Sequence, residues 1–193
     1  MGIRRGIVIT TSEPTKAWLA DCVNSLPLDY PVLIVSNNNY SPDLTNIDRN
    51  VFLNVTKWNG YELAGISEGT TMFDEFIHLQ DSCIVKNPKI IEMMFDAKGS
   101  VSLCSGFFSY LGKFRTEILH KVGIPRVDNI EHAILNERWW TEKYLQADTQ
   151  SEQFLPMLPV ETNVFEEKHG RKNMVLDNGY IIKYKSNWGQ PRN

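Results

Sequence analysis

Residues 76–82 read Phe-Ile-His-Leu-Gln-Asp-Ser, so a lone aspartate, Asp81, closes an apolar run. A carboxylate in such a place can hold a hard divalent cation, Mg2+ or Mn2+, because these ions favour oxygen ligands. Further along, Glu131 and His132 stand side by side at the start of a helical stretch. A carboxylate and an imidazole are both suited to taking a proton from an attacking hydroxyl. A third constellation, Glu166-Glu167-Lys168-His169-Gly170-Arg171-Lys172-Asn173, gathers three cations and one histidine around a glycine. Glycine permits a tight turn, and Lys and Arg suit phosphate oxygens.

The elements that must position these groups follow from hydrophobic patterning. Residues 6–10 form a short, continuous, β-branched run and read as a buried strand. It stops at Thr11-Ser12-Glu13-Pro14, where Thr11 or Ser12 can cap a helix and Pro14 fits its first turn. Leu19, Cys22, Val23 and Leu26 then recur at the spacing of one helix face. A second buried strand over 31–35 ends in Ser36-Asn37-Asn38-Asn39. This β-α-β unit predicts a parallel pair with a right-handed crossover. Strands are predicted over 51–55, 76–79, 100–105, 107–114 and 180–185. Helices are predicted over 60–71, from Asn87-Pro88 onward, over 115–122 and over 130–147. Alternation of the two predicts an α/β sheet, with ligands beyond the carboxyl ends of its strands. The polar segments 10–13, 36–39 and 80–82 sit at those ends. His78, inside its strand, reads as a hydrogen-bonded core histidine, and Gly65 and Gly69 read as close-packing positions.

Composition bounds the alternatives. The chain has 193 residues, 42% hydrophobic and 22% charged, ordinary for a globular protein. That length favours one domain. A net charge of −3 gives no overall attraction to nucleic acid or anionic membrane. Cys22, Cys83 and Cys104 lie far apart, with no metal spacing, and read as reduced thiols. The N-terminal apolar run is too short for a signal peptide or membrane span, so the expected location is cytoplasmic. Asn54-Val55-Thr56 then matches a glycosylation acceptor by chance.

In order and spacing, residues 6–147 resemble GT-A glycosyltransferases, especially the short family-2-like type. Thr10-Thr11-Ser12 resembles the nucleotide-contacting loop after the first strand, and residues 32–39 the second strand with its polar end. Asn59-Gly60 with Ala64, Gly65 and Gly69 resembles the helix before the metal strand, and residues 76–82 the strand that carries an Asp-x-Asp motif. Residues 110–115 with Val122-Gly123 resemble the acceptor-side segment. Asn129-Ile130-Glu131-His132, leading to Arg138, resembles the Glu-Asp motif. Two departures stand out: the metal motif keeps one acid, Asp81, and the Glu-Asp pair reads Glu-His.

The resemblance implies a mostly parallel, Rossmann-like central sheet flanked by helices. It implies one domain over 1–193, with 148–193 extending over the donor site. The implied activity is transfer of a sugar from a nucleoside-diphosphate sugar, a UDP-sugar foremost, to an acceptor hydroxyl with inversion. Donor contacts fall to Thr10, Thr11, Ser12, Asn37 and Gly65, and to Gln80, Asp81, Arg171 and Lys172. Asp81 and His169 are the implied ligands of Mn2+ or Mg2+. Glu131 and His132 are the candidate bases, with Glu131 favoured because Ile130, Ile134 and Leu135 are expected to form the packed face. The charge that grows on the leaving diphosphate calls for a divalent cation or fixed cationic side chains.

Compactness and the Lys-His-Gly-Arg-Lys-Asn segment also resemble small phage-type glycosyltransferases, including those associated with TET-like oxygenases that act on 5-hydroxymethylcytosine in DNA. Lys113, Arg115, Lys121 and Arg126 are the cations expected to meet such an acceptor. A protein or glycan acceptor is the alternative. A nucleotidyltransferase or a dinucleotide-binding dehydrogenase is disfavoured, because no Gly-rich loop follows the first strand. A sugar-nucleotide fold kept only for binding is the non-enzymatic alternative.

Overall fold

The computed structural model describes residues 2–104, 110–158 and 174–185. Strand β1 (Arg5–Thr11) is followed by a 3-10 turn, Glu13–Trp18, and α1 (Leu19–Asn24). Then come β2 (Val32–Ser36), β3 (Phe52–Val55), α2 (Glu62–Met72), β4 (Glu75–Gln80), β5 (Cys83–Val85) and α3 (Lys89–Asp96). The described remainder is β6 (Val101–Cys104), β7 (Gly112–Arg115), α4 (Thr116–Val122), α5 (Ile130–Ala147), β8 (Glu152–Leu158), β9 (Met174–Asp177) and β10 (Ile181–Lys185).

Seven strands form the central sheet in the order β3-β2-β1-β4-β7-β6-β8. The β1–β2, β1–β4, β2–β3 and β6–β8 ladders are parallel, while β7 runs antiparallel to both β4 and β6. The expected mostly parallel α/β sheet is therefore the observed one. Strand β1 is central, so Ile7, Val8 and Ile9 are each fully buried. Side chains alternate across a strand, which divides the core in two. Ile7, Ile9, Ile34, Ile77 and Leu79 pack with α1 and α3. Val8, Leu33, Val35 and Phe76 pack on the other face with α2, α4 and α5.

Two differences from the sequence reading bear on the site. The described parts of the 148–193 extension contribute strands. Within it, β8 is the outer strand beside β6, and β9 and β10 join β5 in a second, three-stranded sheet. The opposite margin is β3, an outer strand with Phe52, Leu53 and Val55 exposed. Tyr110 and Leu111, read as strand, precede β7, and residues 105–109 lie outside the described residues. Among the described residues, no helix is long and apolar enough to cross a membrane.

Helix α2 lies close on the sheet because two of its residues lack side chains. A Cβ on Gly65 would sit 2.0 Å from Thr10 Oγ1, and one on Gly69 would sit 2.8 Å from the Phe76 ring. Thr10 cannot turn away freely, since its hydroxyl is bonded to buried His78 at 2.7 Å. Gly65→Ala should therefore lower stability by about 1–3 kcal/mol through overpacking or a lost buried hydrogen bond, despite alanine's ~1 kcal/mol advantage in helices. Urea unfolding checks this: a midpoint equal to or above that of the parent would show that the helix can lift off the sheet without penalty.

Candidate active site

The parallel register brings the ends of β1, β2 and β4 to one edge. Thr10 pairs with Val35 on one side and Gln80 on the other, so Thr11 and Asp81 come next on a shared face. There Thr11 Oγ1 donates to Asp81 Oδ2 at 2.7 Å, and Thr15 Oγ1, from the 3-10 turn, donates to the same oxygen at 2.5 Å. Ser12 Oγ lies 3.1 Å from Thr15 Oγ1. The carboxylate thus ties the segment after β1 to the end of β4. Oδ1, the other oxygen, accepts no hydrogen bond among the described residues. Asp81 is only 2% exposed. Burial pushes its pKa up to about 7, against the pull of the Thr15 and Thr11 hydroxyls and of Lys183, with Glu62 adding to the rise.

Thr10 and Gln80 face the other side. The Tyr110 carbonyl can only accept, so His78 Nδ1 donates to it at 2.7 Å and Nε2 receives the Thr10 hydroxyl. His78 is the hydrogen-bonded core histidine expected from its place in the strand. Gln80 Nε2 donates to Glu62 Oε1 on the first turn of α2. At the end of β2, Asn37 Nδ2 donates to the Tyr61 carbonyl at 3.1 Å, while its Oδ1 is buried without a hydrogen bond. Tyr61, at the N-terminus of α2, holds φ at 52°, a strained value for a bulky residue.

The edge therefore brings together Thr10, Thr11, Ser12, Asn37, Gly65, Gln80 and Asp81. Thr10 and Gly65 serve the helix–sheet contact, the Thr10 side chain lying where Gly65 has none, while Thr11 fixes Asp81. His169, Arg171, Lys172 and the side chain of Arg138 lie outside the described residues. Sequence reasoning missed two charged residues here, Glu62 and Lys183. Lys183 shares a strand face with buried Ile181, and that alternation was a visible signal. Its neighbours follow only from the antiparallel pairing of β10 with β5, which sets Lys183 opposite Cys83.

Glu131 and His132 both lie exposed at the start of α5. The His132 N–H donates to Asn129 Oδ1 at 2.9 Å, making Asn129 the helix cap. The expected packed face of α5 needs correction. Its buried residues are Ala133, Trp140, Thr141, Tyr144 and Leu145, whereas Leu135 is 57% exposed. The aromatic rings decide the helix phase: Trp140 stacks on Tyr144 at 5.8 Å, and Tyr144 meets Phe114 at 5.2 Å. Of the adjacent tryptophans, Trp140 is core and Trp139 is 74% exposed.

The expected basic acceptor patch also needs correction. Lys113 is 1% exposed and donates to the Ala97 carbonyl. Arg115 pairs with Glu117 and, at 3.0 Å, with Asp148. Lys121 and Arg126 alone are exposed, and the Arg126 guanidinium lies 6.0 Å from the centre of the Trp58 ring.

No family model matches the sequence, and no curated protein matches it. Solved structures do. Staphylococcus aureus TarS matches with a TM-score of 0.51 at 11% identity, covering 79% of this chain and 35% of that one. A shorter TarS structure, residues 1–349, matches at 0.54 and 11% identity, covering 80% and 58%. The fold is GT-A-like. At this identity the likeness concerns the fold alone, and this chain spans roughly a third to three-fifths of the TarS chains. A mannosyltransferase from Pyrobaculum calidifontis, PcManGT, in complex with GDP-Man and Mn2+, scores 0.45 at 14% identity, covering 64% and 47%.

A divalent cation fits the chemistry of the donor set. Among the described residues, no group of three or more His, Cys, Asp or Glu converges. Mg2+ does not require one, since it keeps several waters and is held by one or two carboxylates together with substrate phosphates. Asp81 Oδ1 is the open oxygen for that purpose.

The buried imidazole gives the site a measurable pH signature. Burial lowers the His78 pKa from 6.5 to about 4. The unfolded chain binds this proton below pH 6.5 and the folded chain only below about 4. Stability from this group is therefore fully present above 6.5 and is lost as pH falls through that window, by about 3 kcal/mol in all. His78→Gln should flatten the dependence of unfolding free energy on pH between neutrality and the acid end. Parallel pH curves for parent and variant would assign the slope to other groups.

Proposed function

We propose that this chain is a glycosyltransferase that moves a sugar from a nucleoside-diphosphate sugar, a UDP-sugar foremost, to an acceptor hydroxyl with inversion. The observation that carries this is the carboxylate of Asp81. It is locked by Thr11 and Thr15 at the end of β4, with one oxygen open, on the ligand-binding edge of a GT-A-like sheet. Asn37, at the neighbouring strand end, keeps a buried acceptor without a hydrogen bond, and this reading assigns it to the nucleoside of the donor. Thr11, Ser12 and Gln80 complete the donor edge, and His169, Arg171 and Lys172 are assigned to the diphosphate by sequence.

In the transfer, the acceptor oxygen bonds to the anomeric carbon. The bond from that carbon to the diphosphate breaks, and its electron pair leaves on the diphosphate. Glu131 takes the acceptor proton in this reading. Its exposed position at the start of α5 leaves it open to a hydroxyl arriving from solution, and His132 is the alternative base. Asp81, with His169 from the sequence, would hold Mg2+ or Mn2+. Such an ion supplies positive charge to the departing diphosphate.

With Lys113 and Arg115 engaged internally, the expected acceptor-side cations among the described residues reduce to Lys121 and Arg126, which supports a glycan or protein hydroxyl over hydroxymethylated DNA, whose phosphates need several free cations.

A UDP-sugar turnover screen with and without Mn2+ tests the reading, and absence of turnover and of nucleotide binding would defeat it. Asp81→Ala should weaken Mn2+-dependent UDP binding, read by calorimetry, by about tenfold or more. Unchanged affinity would remove Asp81 from the donor site. Glu131→Gln should cut kcat by roughly 100-fold or more while leaving donor affinity intact. If that variant keeps its kcat and His132→Ala loses it, the base is His132.

A further inference from the structure

Two lysines of the described chain are buried, and they differ in one respect. Lys113 donates to a backbone carbonyl, that of Ala97. Lys183 is 8% exposed, and its ammonium makes no hydrogen bond and no ion pair among the described residues. Its stem is buried, but the ammonium is not among the buried polar atoms left without a partner, so it reaches solvent and is open to an anion.

The position of Lys183 is fixed from two sides. The antiparallel register sets it opposite Cys83, and the Tyr184 N–H donates to the Ser82 carbonyl at 2.9 Å, immediately after Asp81. On the other side, the Tyr184 ring stacks on Trp18 at 6.0 Å, the planes 8° apart, which holds β10 against the 3-10 turn. Lys183 shares its face with Ile181 and lies within electrostatic reach of Asp81 and Cys22. The cation therefore stands at the edge where Asp81 has one open oxygen, beside the only segment that crosses from β1 to α1.

We propose that Lys183 binds the diphosphate of the donor, an inference that rests on the sugar-donor reading above. A diphosphate fits because it presents several anionic oxygens, enough to meet the ammonium and a cation at Asp81 together. Low surrounding polarity strengthens such a contact relative to water. When the glycosidic bond breaks, the electron pair passes to the diphosphate oxygen. The ammonium stabilises that charge without giving up a proton, so nothing else is needed to balance the step. The resemblance assigns diphosphate binding to His169, Arg171 and Lys172, and Lys183 adds a cation from β10.

Calorimetry on the full chain with UDP, uridine and inorganic pyrophosphate tests this in Lys183→Met and Lys183→Arg. Lys183→Met should weaken UDP and pyrophosphate by at least about tenfold and leave uridine unchanged, with Lys183→Arg recovering much of the loss. Free of ligand, Lys183→Met should melt no lower than the parent, because no hydrogen bond or ion pair among the described residues is lost. A purely structural lysine would give the opposite change. Should the Met variant fail to fold, that result overturns the proposal by itself. A folded Lys183→Met with parental UDP affinity also overturns it and leaves the donor reading standing. A parent that binds pyrophosphate through Lys183 but no nucleoside diphosphate keeps the anion site and defeats the donor reading. A parent that binds neither defeats both.

Discussion

The pairing of Thr10 with Gln80 across β1 and β4 is the constraint on which the rest of the structure depends. Side chains alternate strictly along a strand, so a slip of one residue would exchange the two faces. Thr11 would leave Asp81, Thr10 would leave His78, and Gly65 would face a different neighbour. In the observed register each face receives its own polar pair just where the apolar core ends. One pair serves the contact with α2, and the other fastens the segment that leads into the 3-10 turn.

Burial at this edge sorts polar groups by whether the fold completes them. His78 has both ring nitrogens in hydrogen bonds and is held neutral. Tyr144 is bonded to Ser100 and to the Arg115 N–H. By contrast, Asn37 keeps a buried acceptor without a partner, and Tyr61 beside it carries an unfavourable backbone angle. The incomplete groups stand at strand ends and the completed ones lie deeper.

Much of this was legible in the amino-acid order. The β-branched run of β1 gave a strand whose Ile7, Val8 and Ile9 are fully buried, and the helix begun at Asn87-Pro88 buries Ile90, Ile91, Met94 and Phe95. Asp81 stood out because an acid directly after an apolar strand has no role in the core. The face of α5 was misread for a physical reason. Counting aliphatic residues favoured Ile130, Ile134 and Leu135, but Trp140 and Tyr144 bury more surface and set the helix rotation. Lys183 and Glu62 escaped notice because their meaning depends on partners 100 and 18 positions away in the chain, at Cys83 and Gln80. Alternation with buried Ile181 marked Lys183 as inward-facing, but pairing across strands leaves no local pattern. Lys113 and Arg115 were misassigned for the same reason, since their acceptors lie on other elements.

The outer strand β3 has a consequence of its own. It is bonded to β2 on one side only, and Phe52, Leu53 and Val55 are exposed along it. Sheets are extended at margins of this kind, because a row of backbone donors and acceptors waits beside apolar side chains. A fusion, truncation or crowding agent that acts near residues 52–55 will therefore act on solubility, and at Val55 it also meets the end of β2, where Ser36 is its partner.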